Sequence, residues 1–232
     1  MVWAIWMGRG LEQFPDAHRA GYAVYSNTSL ALYDAFVLGL TNRLIWRCPS
    51  RHMIDLYNNH LSADHLDVGV GTGFFPHRAT YPVSNPKVTL LDPNVHCLQK
   101  AAGRIRRYGP LTVQADALVP WPSSLGRFGS IALSYLLHCL PGPLSEKAVI
   151  FDHLLPHLAD DGTVFGATIL QGNGPRSAAA RQLMRLYNRK GVFSNEYDTM
   201  EGLEAELSRR FTRVELKPIG CVALFSARSP RT

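Results

Sequence analysis

Residues 66–73 read Leu66-Asp67-Val68-Gly69-Val70-Gly71-Thr72-Gly73. An apolar run enters an acid, and glycines then occupy every second position. The stretch ends a predicted strand over 65–70 and leads into a short helix. Glycines at such a junction let the backbone turn tightly and let a ligand approach with no Cβ in the way. In open α/β sheets, ligands sit beyond the carboxyl ends of the strands. The spacing Asp-x-Gly-x-Gly-x-Gly is not the Gly-x-Gly-x-x-Gly of a pyrophosphate site. An acid in front would repel a pyrophosphate and would accept a ligand bearing an ammonium group.

Working outward, short apolar strands alternate with helical stretches. Strands are predicted over 65–70, 87–92, 111–115, 130–135 and 163–169, with helices over 94–108 and 144–158 and a turn at Asp160-Asp161-Gly162. This alternation indicates a parallel sheet with helices on both faces. Helices over 176–190 and 200–210 follow, then strands over 213–218 and 222–227. The link Ile219-Gly220-Cys221 is too short for a parallel return, so these two strands must pair antiparallel. Upstream, apolar residues at helical spacing predict a helix over 27–46, closed at Cys48-Pro49, and a second over 49–60. The expected fold is α/β, a Rossmann-like, mostly parallel seven-stranded sheet with an antiparallel C-terminal edge. Residues 1–60 form an N-terminal helical lid, residues 61–232 the core, and helix 176–195 covers the substrate.

The 232 residues are 46% hydrophobic and 18% charged, a globular mix. The formal net charge of +6 favours anionic partners, but the basic residues are scattered and form no basic-aromatic stripe, so nucleic acid is not expected. The four cysteines, Cys48, Cys97, Cys139 and Cys221, form no Cys-x-x-Cys pair and match no zinc site. They read as free thiols of a reducing, cytoplasmic compartment. No apolar stretch has the roughly 20 residues of a membrane span. A homodimer is left open.

The chain resembles the class I S-adenosylmethionine-dependent methyltransferases. Leu66–Gly73 matches that family's first motif, and Asp67, Gly69, Gly71 and Gly73 are accordingly expected at the cofactor. The resemblance implies an acid at the end of the second strand that holds both ribose hydroxyls, and Asp92 in Leu90-Leu91-Asp92-Pro93-Asn94 stands there. It also implies an acid or amide after the third strand that accepts from the adenine amino group. Asp116 fits, with the Ala117 N–H as a second adenine contact. Ser134, at the end of the fourth strand, belongs beside the methionine moiety. Asn94 reads more readily as a helix N-cap than as a ligand contact. Tyr25 and Tyr33 are lid residues that could reach the cofactor, a cation over an aromatic face gaining about 0.5–2 kcal/mol.

Methyl transfer from a sulfonium is an in-line displacement, so the protein has to position the nucleophile and exclude water. His138, directly after the fourth strand, is the candidate general base or substrate anchor. The alternative is that it only supports the cofactor loop. Met184, Tyr187, Asn188 and Phe193 give a mostly apolar wall for a small molecule. His153 and His157 share a helix face but lack a third ligand, and the ends of strands four and five carry no carboxylate, so no metal is expected. The segments Tyr33–Pro49, Leu136–Gly142 and Tyr187–Asn195 are similar to small methyltransferases of microbial polyketide tailoring. That implies O-methylation of an enol or phenol, for example on a pyrone. Two alternatives stay open. One is an RNA or protein methyltransferase, though the Asn/Asp-Pro-Pro-Tyr/Phe motif of amino-group methylators is missing after the fourth strand. The other is a methyltransferase fold that uses the cofactor's charge without transferring methyl, as in a pericyclic reaction.

Overall fold

The computed structural model describes residues 41–171 and 176–231. Tyr25, Tyr33 and most of the predicted helix 27–46 lie outside these residues. In chain order the elements are α1 (Arg51–His60), β1 (Asp64–Val68), α2 (Phe74–Arg78), β2 (Lys87–Leu91), α3 (Val95–Arg104), β3 (Leu111–Val113), β4 (Phe128–Ser134), α4 (Leu144–Lys147), α5 (Val149–Leu154), β5 (Leu158–Ile169), α6 (Ala178–Arg189), α7 (Met200–Arg210), β6 (Phe211–Ile219) and β7 (Val222–Pro230). The strands form one seven-stranded sheet in the order β3-β2-β1-β4-β5-β7-β6. Strands β1 to β5 pair in parallel, and β7 pairs antiparallel with both β5 and β6. The order reverses between β1 and β4, and this places the ligand crevice above the end of β1.

Alternation along each strand sorts the side chains into two cores. Leu66 and Val68 of β1, Ile131 and Leu133 of β4 and Val164 of β5 pack under α4, α5 and α7. Leu90, Ala132, Phe165 and Ala167 face the other way, against Met53 and Tyr57 of α1 and Leu98 and Ala101 of α3. Helix α1 therefore covers the sheet, although the sequence places its residues in the lid. Asn94 caps α3, its side chain accepting from the His96 N–H. Ser177 and Thr199 cap α6 and α7 in the same way. Gly220, at φ 60°, heads the two-residue connection from β6 to β7. Its absent side chain leaves room for the backbone of Trp46 and Arg47.

Two elements differ from expectation. The predicted helix 144–158 is broken into α4, α5 and a 3-10 turn at Leu155–His157, where Pro156 removes a backbone donor. Strand β5 begins at Leu158, five residues before the predicted strand. Its pairing with β4 jumps from Phe128–Leu158 to Ser130–Thr163, so Asp160-Asp161-Gly162 is looped out of the ladder as a bulge and does not precede it. No helix among the described residues is long and apolar enough to cross a membrane.

Candidate active site

Each glycine of the first motif takes a left-handed backbone, with φ of 71° at Gly69, 50° at Gly71 and 68° at Gly73. Their surroundings separate their roles. A Cβ on Gly73 would lie 2.8 Å from the Ala101 Cα, so this glycine lets α3 pack on the loop. A Cβ on Gly69 would meet the Leu136 side chain at 2.7 Å. Of the three, Gly71 alone has empty space within 4 Å. Gly71 and Gly69 line a crevice with Val68, Asp92, Asn94 and Ala117.

The three predicted acids part company. Asp92 is buried, lines the crevice and accepts from the Asn94 N–H at 2.8 Å, with the Val70 and Gly71 N–H groups also facing it. Burial outweighs those donors and raises its carboxyl to about 7. Asp67 points to the α1 side of the sheet. Its Oδ2 accepts from the buried Tyr57 hydroxyl at 2.8 Å and lies 3.5 Å from His65 Nε2. It is not among the residues lining the crevice. Asp116 also stays out of the lining, and its Oδ1 accepts from the Leu118 N–H at 2.9 Å within its own turn. Its neighbour Ala117 faces the crevice.

Ser134 is buried beside the Tyr57 hydroxyl, and its Oγ forms no well-made hydrogen bond. The next residue, Tyr135, has φ 59°, an unusual backbone for a residue with a Cβ, and its N–H donates to the Ala167 carbonyl at 2.7 Å. Such strain collects at ligand-binding turns, and Tyr135 lines the crevice. His138 does not. It is 3% exposed, and its Nδ1 accepts from the Ile169 N–H at 3.2 Å and lies 3.3 Å from Thr168 Oγ1. Burial, with the Lys147 charge nearby, pushes its imidazole down to about 3. His153 and His157 each turn Nδ1 to a backbone carbonyl, of Ala117 and Gly126 respectively. Among the described residues no three His, Cys, Asp or Glu side chains converge.

The predicted substrate wall is divided. Met184 is fully buried core, and Tyr187 packs edge-on against Phe193 at 4.9 Å between ring centroids. Asn188 exchanges hydrogen bonds with Asn195, through its Nδ2 to Asn195 Oδ1 and from the Asn195 N–H to its Oδ1. Asn188 and Phe193 line a second, wider cavity of about 1080 Å³. The segment after α6 that reaches the crevice is Gly191-Val192. A polar clamp fixes this segment. The Ser194 N–H donates to the His138 carbonyl, Lys147 Nζ donates to the Ser194 carbonyl, Asn195 Nδ2 donates to the Ile169 carbonyl, and Lys147 Nζ pairs with Asp198 Oδ2 at 2.6 Å. Sequence reading passes over Tyr135, the crevice-lining Cys97 and Cys139, and the Lys147–Asp198 pair. The run Ser134-Tyr135-Leu136-Leu137-His138 is the available signal for Tyr135. Nothing local marks Lys147.

The donor set suits an adenosyl amino acid. A buried carboxylate aimed at the crevice can accept two ribose hydroxyls, and the bare backbone at Gly71 admits the ligand. The enclosed part of the crevice is narrow, about 90 Å³.

The chain is 38% identical over 207 residues to the demethylluteothin O-methyltransferase of Streptomyces thioluteus, covering 89% of this chain and 90% of that one. It is 37% identical over 216 residues to the physcion biosynthesis cluster O-methyltransferase of Aspergillus chevalieri, covering 91% and 96%. Among solved structures, the N-methyltransferase NodS of Bradyrhizobium japonicum WM9 in complex with S-adenosylhomocysteine superposes with a TM-score of 0.60 at 15% identity, over 88% of this chain and 98% of that one. No family model matches. The chain belongs to the S-adenosylmethionine-dependent O-methyltransferases of secondary metabolism, which act on small molecules. The methyltransferase sheet expected from sequence is the sheet observed.

Proposed function

We propose that this chain methylates an acidic hydroxyl, an enol or a phenol, on a polyketide-type molecule. One observation carries the reading. Among the described residues, no imidazole or lysine amine lines the crevice. Its ionisable side chains are Asp92, Tyr135, Cys97 and Cys139, and burial pushes both thiols up, Cys139 to about 12. Asp92 is taken by the ribose. A neutral thiol accepts no proton, so the described lining favours an acceptor hydroxyl acidic enough to give its proton to water. Acidic enols, and phenols activated by a conjugated carbonyl, release a proton far more readily than ordinary phenols, at about pH 10, or aliphatic alcohols. The relatives' names, one for demethylluteothin and one for a physcion cluster, support the same class.

When bound, S-adenosylmethionine supplies a methyl group on sulfur, open to in-line displacement. The residues supply the rest. Asp92, as carboxylate, accepts the ribose hydroxyls. Gly71 and the Asn94 turn bring bare backbone against the ligand. Val192, Leu136 and Leu140 exclude water, which strengthens every charge interaction inside. His138 is a neutral strut. Its Nδ1 takes the Ile169 N–H and its carbonyl takes the Ser194 N–H, so it ties the end of β4 to β5 and to the wall after α6. The free cysteines, Cys48, Cys97, Cys139 and Cys221, support a cytoplasmic location.

The test is methyl incorporation from labelled S-adenosylmethionine into a 4-hydroxy-2-pyrone, an anthraquinone phenol, an aliphatic alcohol and RNA. Labelling of the pyrone or the phenol is expected. Labelling of RNA alone, or of the alcohol at an equal rate, would overturn the reading.

A further inference from the structure

The cavity of about 1080 Å³ shares its dividing wall with the cofactor crevice. Leu140-Pro141 and Gly191-Val192 line the crevice, and the residues that follow each, Gly142-Pro143 and Phe193-Ser194, line the cavity. Helix α6 turns Arg181, Arg185 and Arg189 toward the cavity at four-residue spacing. Arg181 is occupied, donating to the Arg176 carbonyl at 2.7 Å. Arg185 and Arg189 form no hydrogen bond or ion pair with any described residue, and Glu196 on the rim is not paired with them. The opposite side holds acceptors in place of cations. Asp198 is 1% exposed, its Oδ2 is paired with Lys147, and its buried Oδ1 has no donor among the described residues. Gln171 Oε1 is buried and also lacks a donor among them. Both residues line the cavity through other atoms, and these two oxygens stay buried.

We propose that this cavity is a second recognition site, for the non-reacting part of the methyl acceptor. It takes a carboxylic acid, the carboxylate held by Arg185 and Arg189. The inference rests on the small-molecule acceptor reading above and adds the acceptor's charge. Planar guanidinium groups bind a carboxylate with two parallel hydrogen bonds. The pairing of Asp198 with Lys147 cancels the charge that would otherwise repel the acid.

The probe is 2,4-dihydroxybenzoate, titrated calorimetrically into the full chain saturated with S-adenosylhomocysteine. The acid should bind at least about tenfold more tightly than its methyl ester, with an affinity that falls as salt is added. The double variant R185Q/R189Q should lose about tenfold for the acid and leave the ester and S-adenosylhomocysteine unchanged. Equal binding of acid and ester by the parent chain overturns the proposal, as does a double variant that keeps full affinity for the acid. Displacement of the acid by an equal concentration of inorganic phosphate also overturns it. Because binding is read without turnover, the two readings fail separately. Acid binding with no methyl transfer to any acceptor keeps this site and refutes the enol or phenol reading. Transfer to neutral enols with no acid binding does the reverse.

Discussion

Replacing Asp92 with Asn should make the free protein more stable and the cofactor complex weaker. The carboxyl titrates at about 7 in the free fold, against an ordinary value of 3.8. Because the folded carboxyl is the weaker acid, the folded state holds its proton over an interval where the unfolded chain has released it. Stability therefore falls as pH rises from about 4 to 7. Three pH units correspond to about 4 kcal/mol as an upper bound above pH 7. Asn carries no such penalty, so at pH 8 its melting temperature should rise by several degrees, at about 2–4 °C per kcal/mol for a chain of this size. The cofactor reverses the sign. Ribose hydroxyls donate to the carboxylate and favour the charged form, so binding releases a proton. Wild-type affinity for S-adenosylhomocysteine should rise about tenfold between pH 6 and 8, and the D92N line should be flat and weaker. Calorimetry at three pH values with parallel thermal melts reads both. A wild-type affinity flat over that interval, or a D92N protein that melts lower than its parent, would refute the placement of this carboxylate.

The motif glycines should separate in the same assays. Gly73→Ala forces a Cβ onto the Ala101 backbone at a positive φ and should cost about 2–4 kcal/mol of stability, read by denaturant titration. Gly71→Ala meets no described residue but keeps a left-handed backbone, so it should cost about 1–2 kcal/mol in stability while weakening cofactor binding more than tenfold. Lys147→Met strands a buried Asp198 and should destabilise by about 3–5 kcal/mol, with the double change K147M/D198L recovering most of it. His138 is held far below its usual titration range, so kcat/KM should show no inflection from it between pH 5 and 8. Its stabilising neutral form is lost only as the pH falls from about 6.5 toward 3. A histidine-type inflection that disappears in H138N would restore the base.

Strand order and the crevice were legible because they rest on local periodicity. Leu66–Gly73 and Lys87–Asp92 carry their own turns and acids, and Asn94 announces its cap. Contacts made at long range were not legible. Residue type marks Asp67 as an acid near a ligand, but only the packing of α1 reveals the Tyr57 hydroxyl that donates to it. The Asp160-Asp161-Gly162 run has the composition of a turn. It is carried inside β5 because β4 skips past it from Phe128 to Ser130. The clamp around Ser194 draws on Lys147, His138 and Ile169, and no spacing in the chain connects them. His138 stands out by its place after β4, while its burial and its bond from Ile169 are visible only in the structure.

Gly73 shows how closely the glycine loop beside the crevice depends on the architecture behind it. The loop touches α3 where that helix has Ala101, and both the Cα and the carbonyl oxygen of Ala101 crowd the spot, the oxygen 3.2 Å from where a methyl at residue 73 would sit. Trimming residue 101 to glycine would therefore not make room for a larger residue at 73, because the obstruction is main chain. The floor of the pocket and the helix that carries Asp92's turn must move as one piece. Efforts to adapt this enzyme to bulkier cofactor analogues should widen the opposite rim, at Leu136 and Val192, and leave the glycine bank alone.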